Sequence, residues 1–257
     1  MNESKFHPTS LRAALAQQPN EQYRLIVLAH RGRHAELIGL ASSMVDRNIG
    51  PPGKEMHLDL IEGVAVTAAA KQAEALSDAE AVAAIWRIAP AIHDVYVRTI
   101  WSLNDAVQNE IRVVNISLAP PRDVLDPHLD PEEPIHLATR AAADRALIVV
   151  FAAGNYGPAE NTLNPWSVAP WVLSVGAASE DGERLADFSS RGVPSDPLCR
   201  PTVVAHGIDL IVAHPRKIPK TQEQLPRKSA SASSSACPGA SGPYTRLSRE
   251  RALRVRR

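Results

Sequence analysis

The run Leu147-Ile148-Val149-Val150-Phe151-Ala152-Ala153 is apolar at every position. A strand with one wet face alternates apolar and polar residues. A strand without alternation needs cover on both faces, as a parallel sheet between helices supplies. Val172-Leu173-Ser174-Val175-Gly176-Ala177 and Arg112-Val113-Val114-Asn115-Ile116-Ser117-Leu118 have the same character, and Pro201-Thr202-Val203-Val204-Ala205 is a shorter version. Residues 134–146 predict a helix with proline in its first turn, where the missing N–H costs nothing. Residues 99–110 predict another, with Ile100, Leu103 and Val107 on one face. The fold class expected here is α/β, a partial parallel sheet flanked by helices.

The first half reads differently. Tyr23-Arg24-Leu25-Ile26-Val27-Leu28-Ala29 is strand-like, and Leu37, Leu40, Ala41, Met44 and Val45 then recur at helical spacing. Residues 57–61 and 64–66 predict two strands broken at Glu62-Gly63, residues 68–76 an alanine-rich helix, and residues 81–86 a closing strand. The order β-α-β-β-α-β is that of a small ferredoxin-like α+β module. The expected organisation is a leader at 1–22 with little to bury, this module at 23–92, the parallel-sheet part at 93–216, and a disordered tail at 217–257. Within the tail, residues 228–242 hold six serines and four alanines, and the last ten residues hold five arginines.

Charge narrows the function. Lysine plus arginine total 28 and aspartate plus glutamate total 28, so the chain as a whole is not an electrostatic nucleic-acid binder. The arginine-rich end alone motivates a basic-tail alternative. No apolar run reaches the roughly 20 residues of a membrane helix, and neither nucleic acid nor membrane is the expected partner. Residues 1–22 contain no apolar signal core, which makes the cytoplasm the default expectation. Two cysteines, Cys199 and Cys237, cannot build a thiolate zinc site alone. Glycine-rich phosphate loops and metal-ligand clusters are missing, so no cofactor and no metal are expected.

The second half resembles the subtilase family of subtilisin-like serine peptidases. Val113-Val114-Asn115-Ile116-Ser117-Leu118 looks like the family's VVNxSLG strand, and Val149-Val150-Phe151-Ala152-Ala153-Gly154-Asn155 looks like its VVxAAGN strand and turn. Residues 172–177 are similar to VxSVGA, and Phe188-Ser189-Ser190-Arg191-Gly192 is similar to FSSxG. Residues 201–207 are similar to kPdvvAPG, with His206 in place of proline. Five weak matches in the same order make a strong signal. Residues 23–92 also resemble the family's propeptide, which chaperones folding and occupies the substrate groove. The resemblance implies that Asn155 stands at the oxyanion position. It implies that Ser117, Leu118 and Ala119 pair with an extended peptide or protein substrate, and that Ala152, Ala153 and Gly154 line the pocket before the cut bond. Ala119 replaces the usual glycine. The propeptide-like module is expected to pack on the catalytic part.

The departures bear on activity. Subtilase chemistry needs a serine, a histidine and an aspartate, and no DTG or HGTH motif is found. Asp94 and His34 are candidate relics, also read as an ordinary linker residue and a surface helix residue, and His136 is most simply a helix-face residue. Ser234, in Ser233-Ser234-Ser235-Ala236-Cys237-Pro238, has the nucleophile's spacing to alanine and proline, within a serine-rich stretch where such spacings arise by chance. Tyr244-Thr245-Arg246-Leu247-Ser248 resembles the approach to that motif. Codons exist for residues 249–256 whose shifted frame reads Gly-Thr-Ser-Phe-Ala-Gly-Pro, so a frame-shifted terminus is expected. The function expected is a subtilisin-like endopeptidase homologue, inactive as it stands. The alternative is a non-catalytic module that binds peptides or inhibits proteases.

Overall fold

The computed structural model describes residues 3–7, 10–44, 57–120, 127–211 and 229–230. The chain divides into two compact units, Met1–Glu110 with Pro131–Arg145, and Ile111–Asp130 with Ala146–Arg257. The sequence had suggested a boundary at residue 92.

The first unit is built on a five-stranded sheet. Its strands are β1 (Phe6–His7), β2 (Gln22–Ala29), β3 (His57–Leu58), β4 (Gly63–Ala69) and β5 (Val82–Arg87), in the order β1-β5-β2-β4-β3. β2 runs antiparallel to both β4 and β5, and β3 antiparallel to β4. With α2 (His34–Met44) and α3 (Ala70–Asp78) as connections, the arrangement from β2 to β5 is ferredoxin-like. Alternation along β2 puts Leu25 and Val27 on one face, packed with Leu37, Ala41, Ala73 and Leu76 of the helices. Gln72 accepts a hydrogen bond from the Ala69 N–H at 2.8 Å, which satisfies a donor at the start of α3. The expected strand at 57–61 is only two residues long. It gives way to a 3-10 turn at Asp59–Ile61 that ends at Glu62 with φ 50°.

The leader is a correction. Residues 1–22 were expected to have little to bury and no order, yet Phe6, Leu11 and Leu15 are at most 1% exposed. β1 adds in parallel to β5, and α1 (Ser10–Gln17) lays Leu11 and Leu15, four residues apart, into the module's core. Lys5 Nζ donates to Ala79 O at 2.9 Å.

Two further helices belong to this unit. α4 (Pro90–Gln108) begins nine residues earlier than the periodicity suggested, with proline in its first turn. α5 (Pro134–Ala143) starts on Glu133, whose Oε2 accepts from His136 N at 2.8 Å. α4 and α5 pack on each other and on the 3-10 turn. The sheet face opposite the core cluster carries Arg24 and Ile26, and Asp94 on α4 stands 3.5 Å from Arg24. Ile26 is fully buried.

The second unit holds the expected parallel sheet. β6 (Val113–Ile116), β7 (Ile148–Ala152), β8 (Val172–Ala178) and β9 (Val203–His206) pair in that order, every neighbour parallel. The chain passes from β6 to β7 through α5. The central strands are buried on both faces, as unbroken apolar runs require. Val150, Val175, Ala177 and Ala186 form one cluster. On the other face Phe151 meets Trp166 at 6.4 Å between ring centroids. β10 (Leu210–Ile211) pairs antiparallel with β11 (Ser229–Ala230), a short strand inside the tail that had been read as structureless. Among the described residues no helix is long and apolar enough to cross a membrane.

The ordered leader has a direct test. Leu11→Ala should lower the stability of the full chain to urea by about 2–4 kcal/mol. Gln17→Ala, at an exposed position of the same helix, should stay within about 0.5 kcal/mol. Equal and negligible effects would restore the structureless leader.

Candidate functional site

Parallel strands bring their carboxyl ends, and the loops that follow them, to one edge of the sheet. Ile116 is level with Phe151 in the β6–β7 register. Residues 117–119 and the turn after Ala152 therefore leave the sheet side by side.

The turn after β7 is closely held. Ala153 N donates to Val175 O at 2.9 Å, which prolongs the strand pairing by one residue. Gly154 then takes φ +109°, a conformation that side chains rarely adopt. An added Cβ would stand 2.7 Å from Ser190 Oγ. Ser190 clasps the turn from both ends: its N–H donates to Gly154 O at 3.0 Å, and its Oγ accepts from Tyr156 N at 3.0 Å. Between those contacts Asn155 is exposed, while Ser190 is fully buried. Ser189 Oγ accepts from Ala177 N at 3.0 Å, and Gly157 N donates to Phe188 O at 3.0 Å. The Phe188-Ser189-Ser190 segment is thus a brace for the turn.

The neighbouring segment is held by side chains. Asn164 Nδ2 donates to Leu118 O at 2.8 Å and to Ala152 O at 3.0 Å. Tyr156 Oη donates to Pro120 O at 3.3 Å. Ser117, Leu118 and Ala119 are exposed, Leu118 at 45%. Ala152 and Ala153 are buried, with Ala153 packed on Leu163 and Val168, so what they turn toward the surface is backbone. Sequence reasoning missed Asn164. The only signal was the Asn164-Pro165 dipeptide, a turn initiator.

The triad candidates lie on α2, α4 and α5. Asp94 is exposed on α4 and pairs with Arg24. His34, on α2, has Nε2 3.0 Å from Gly63 O and Nδ1 3.7 Å from Asp59. His136 is buried on α5, 3.7 Å from Glu133. All three belong to the first unit, whereas Asn155 belongs to the second. Ser234 lies outside the described residues. Among the described residues no group of three His, Cys, Asp or Glu side chains is placed to hold a metal.

Burial shapes the titration of several groups. It holds His93, fully enclosed on α4, below the usual imidazole range, against the pull of Asp94. Burial also raises Glu133 above the usual carboxylate range against the pull of His136. In the second unit Arg200 grips Asp196 with two bonds, at 2.7 and 2.9 Å. That guanidinium lowers the Asp196 carboxyl to about 2.

Known proteins are similar to this chain. The sequence profile described as "Subtilase family" matches residues 52–251. Serine protease AprX of Bacillus subtilis (strain 168) is 32% identical over 113 residues, 42% of this chain and 25% of that protein. Subtilisin-like protease SBT5.5 of Arabidopsis thaliana is 37% identical over 81 residues, 31% of this chain and 9% of that protein. The chain thus spans a quarter or less of the length of these two relatives. Among solved structures, Sphericase aligns with a TM-score of 0.43 at 18% identity, over 63% of this chain and 53% of that one.

Two predictions concern the scaffold of the site. Gly154→Ala should cost roughly 2–4 kcal/mol of stability, from strain plus the collision with Ser190. Gly182→Ala also faces a positive φ, of +75°, but meets nothing within 4 Å, and should cost about 1 kcal/mol. Similar losses at both positions would argue against the Ser190 clasp. For Asp196 the folded carboxyl titrates below its unfolded value of 3.8, so its contribution is complete above that value and fades as pH falls towards 2. Asp196→Asn should therefore lower stability at pH 7 by about 2 kcal/mol, with the gap closing between about pH 4 and pH 2. A gap that persists unchanged to pH 2 would remove the carboxylate as its cause.

Proposed function

Because the chain belongs to the subtilase family, we propose that its second unit binds an extended peptide and that the chain, as it stands, does not cleave it efficiently. One observation carries the first part. Exposed Asn155 and the exposed segment 117–119 leave adjacent parallel strands at the same end of one sheet. The segment offers backbone groups for pairing with an extended chain, a strand-addition mode of recognition. Asn155 offers a side-chain N–H to a peptide carbonyl beside it. In acyl transfer such a donor stabilises the oxyanion that forms when a nucleophile attacks.

The second part follows from what Asn155 needs beside it. Without a nucleophile and a base beside it, an oxyanion donor supplies only a small part of a peptidase's rate. The candidate histidines and aspartate belong to the other unit and have structural partners there. With donor and binding segment alone, the residual rate should reach at most ~10³–10⁴ over the uncatalysed reaction.

A second reading concerns the first unit, and a specific contact favours it. The ferredoxin-like module meets α4 through Arg24 and Asp94, and Ile26 on the same sheet face is fully buried. We infer that this face is an interaction surface for paired helices, as a propeptide-like inhibitor would use.

Three measurements separate these readings. A serine-reactive phosphonate should fail to label the chain, and stoichiometric labelling at one serine would end the claim of inactivity. Fluorescence anisotropy with a labelled extended octapeptide should show saturable binding. None at millimolar protein would end the peptide-binding reading. The full chain, added at micromolar concentration to an intact subtilase, should slow hydrolysis if the module acts as an inhibitor, and an unchanged rate would count against that role.

A further inference from the structure

Asn164 is completely buried, and its side chain makes three hydrogen bonds. Its backbone N–H donates to Ala153 O at 2.7 Å, and its carbonyl oxygen accepts from Ser167 N at 2.9 Å and Ser167 Oγ at 2.8 Å. Its side-chain Oδ1 accepts from Trp166 N at 3.1 Å, and Nδ2 donates to both Ala152 O and Leu118 O. The residue is therefore anchored on the end of β7 before it reaches across to Leu118. A buried amide so placed has no alternative partner, and losing a bond would strand a polar group, at about 1–3 kcal/mol each.

The consequence is a register. Leu118 O and Pro120 O, two residues apart, are both held from the loop that follows β7, by Asn164 and by Tyr156. Two anchored carbonyls two residues apart fix the path of the backbone on either side of Ala119. We propose that Asn164 is a positioning residue for peptide binding: its buried amide sets the depth and register at which residues 117–119 meet an extended peptide beside the Gly154 turn. This rests on the peptide-binding reading of the second unit.

Asn164→Asp tests it with almost no change in shape. The variant keeps the acceptor for Trp166 N and replaces both donated bonds with a carboxylate facing two carbonyl oxygens. Affinity for a fluorescein-labelled Ala/Leu octapeptide, read by anisotropy on the full chain, should fall at least tenfold at pH 8. It should recover partly at pH 5, where a protonated carboxyl can donate again, while the wild type changes less than twofold. Tyr156→Phe, a milder change that removes only the 3.3 Å bond to Pro120 O, should weaken binding about two- to fivefold. Asn161→Gly, an exposed change in the same loop, should stay within twofold. Limited elastase digestion mapped by mass spectrometry supplies the second readout. Cleavage at residues 117–120 should rise about tenfold in Asn164→Asp, with other sites unchanged. Wild-type affinity in both Asn164→Asp and Tyr156→Phe would overturn the proposal and leave the peptide-binding reading standing. Faster cleavage along the whole chain would overturn it too, by reducing Asn164 to a general stabilising role. Failure of the wild type to bind the peptide at all would overturn both.

Discussion

The clasp of Ser190 on Gly154 decides what the carboxyl end of the sheet can present. β7 is buried on both faces until Ala153, and the next residue but one is exposed. A buried strand can surface so abruptly only through a turn that most residues cannot make, and φ +109° at Gly154 is that turn. The bonds from Ser190 to Gly154 O and from Tyr156 N to Ser190 Oγ hold the backbone on either side of residue 155. Whatever residue stands there is displayed. That it is asparagine gives the display a hydrogen-bond donor, but the display itself belongs to glycine and serine.

A similar division runs along the neighbouring segment. β6 ends at Ile116, and no further rung of the β6–β7 ladder holds residues 117–120. Side chains take over from the ladder, with Asn164 from one side of the loop and Tyr156 from the other. This solution leaves the exposed residues beside Leu118 near a site that a regular strand would have filled. It also explains why buried polar residues gather here: Asn164, Ser167, Ser189 and Ser190 are all fully enclosed. In a dry region each must find a partner, and the partners they find are the backbone groups that shape the site.

Much of the architecture was legible because its signal is local. Unbroken apolar runs announced the parallel sheet, and alternation with helical spacing announced the ferredoxin-like module. What failed needed partners distant in sequence. Residues 1–22 looked too polar to matter, but Phe6, Leu11 and Leu15 suffice once β5 offers an edge to β1 and the module a core to α1. α4 was read from the spacing of Ile100, Leu103 and Val107 alone, whereas it starts at Pro90, a residue that fits a first turn. Residues 172–178 and 147–153 could be paired on paper. That Asn164, between them, would reach Leu118 forty-six positions earlier could not. Asn155 was found by motif, and nothing in the periodicity of the chain distinguishes it from any turn asparagine.

The motifs that identify the family therefore report mostly on scaffold. Phe188-Ser189-Ser190 and Ala153-Gly154 are parts of one brace, and replacing Ser189, Ser190 or Gly154 would leave an unpaired donor or a steric collision. A catalytic nucleophile or base on the surface differs, because its loss usually costs a few tenths of a kcal/mol of stability. A chain that loses catalysis while it is still required to fold keeps Gly154 and Ser190 on stability grounds alone. Family membership then survives in sequence after activity has gone. The exposed position 155, set between the two bonds of the clasp, is where a change of side chain tests function apart from the brace itself.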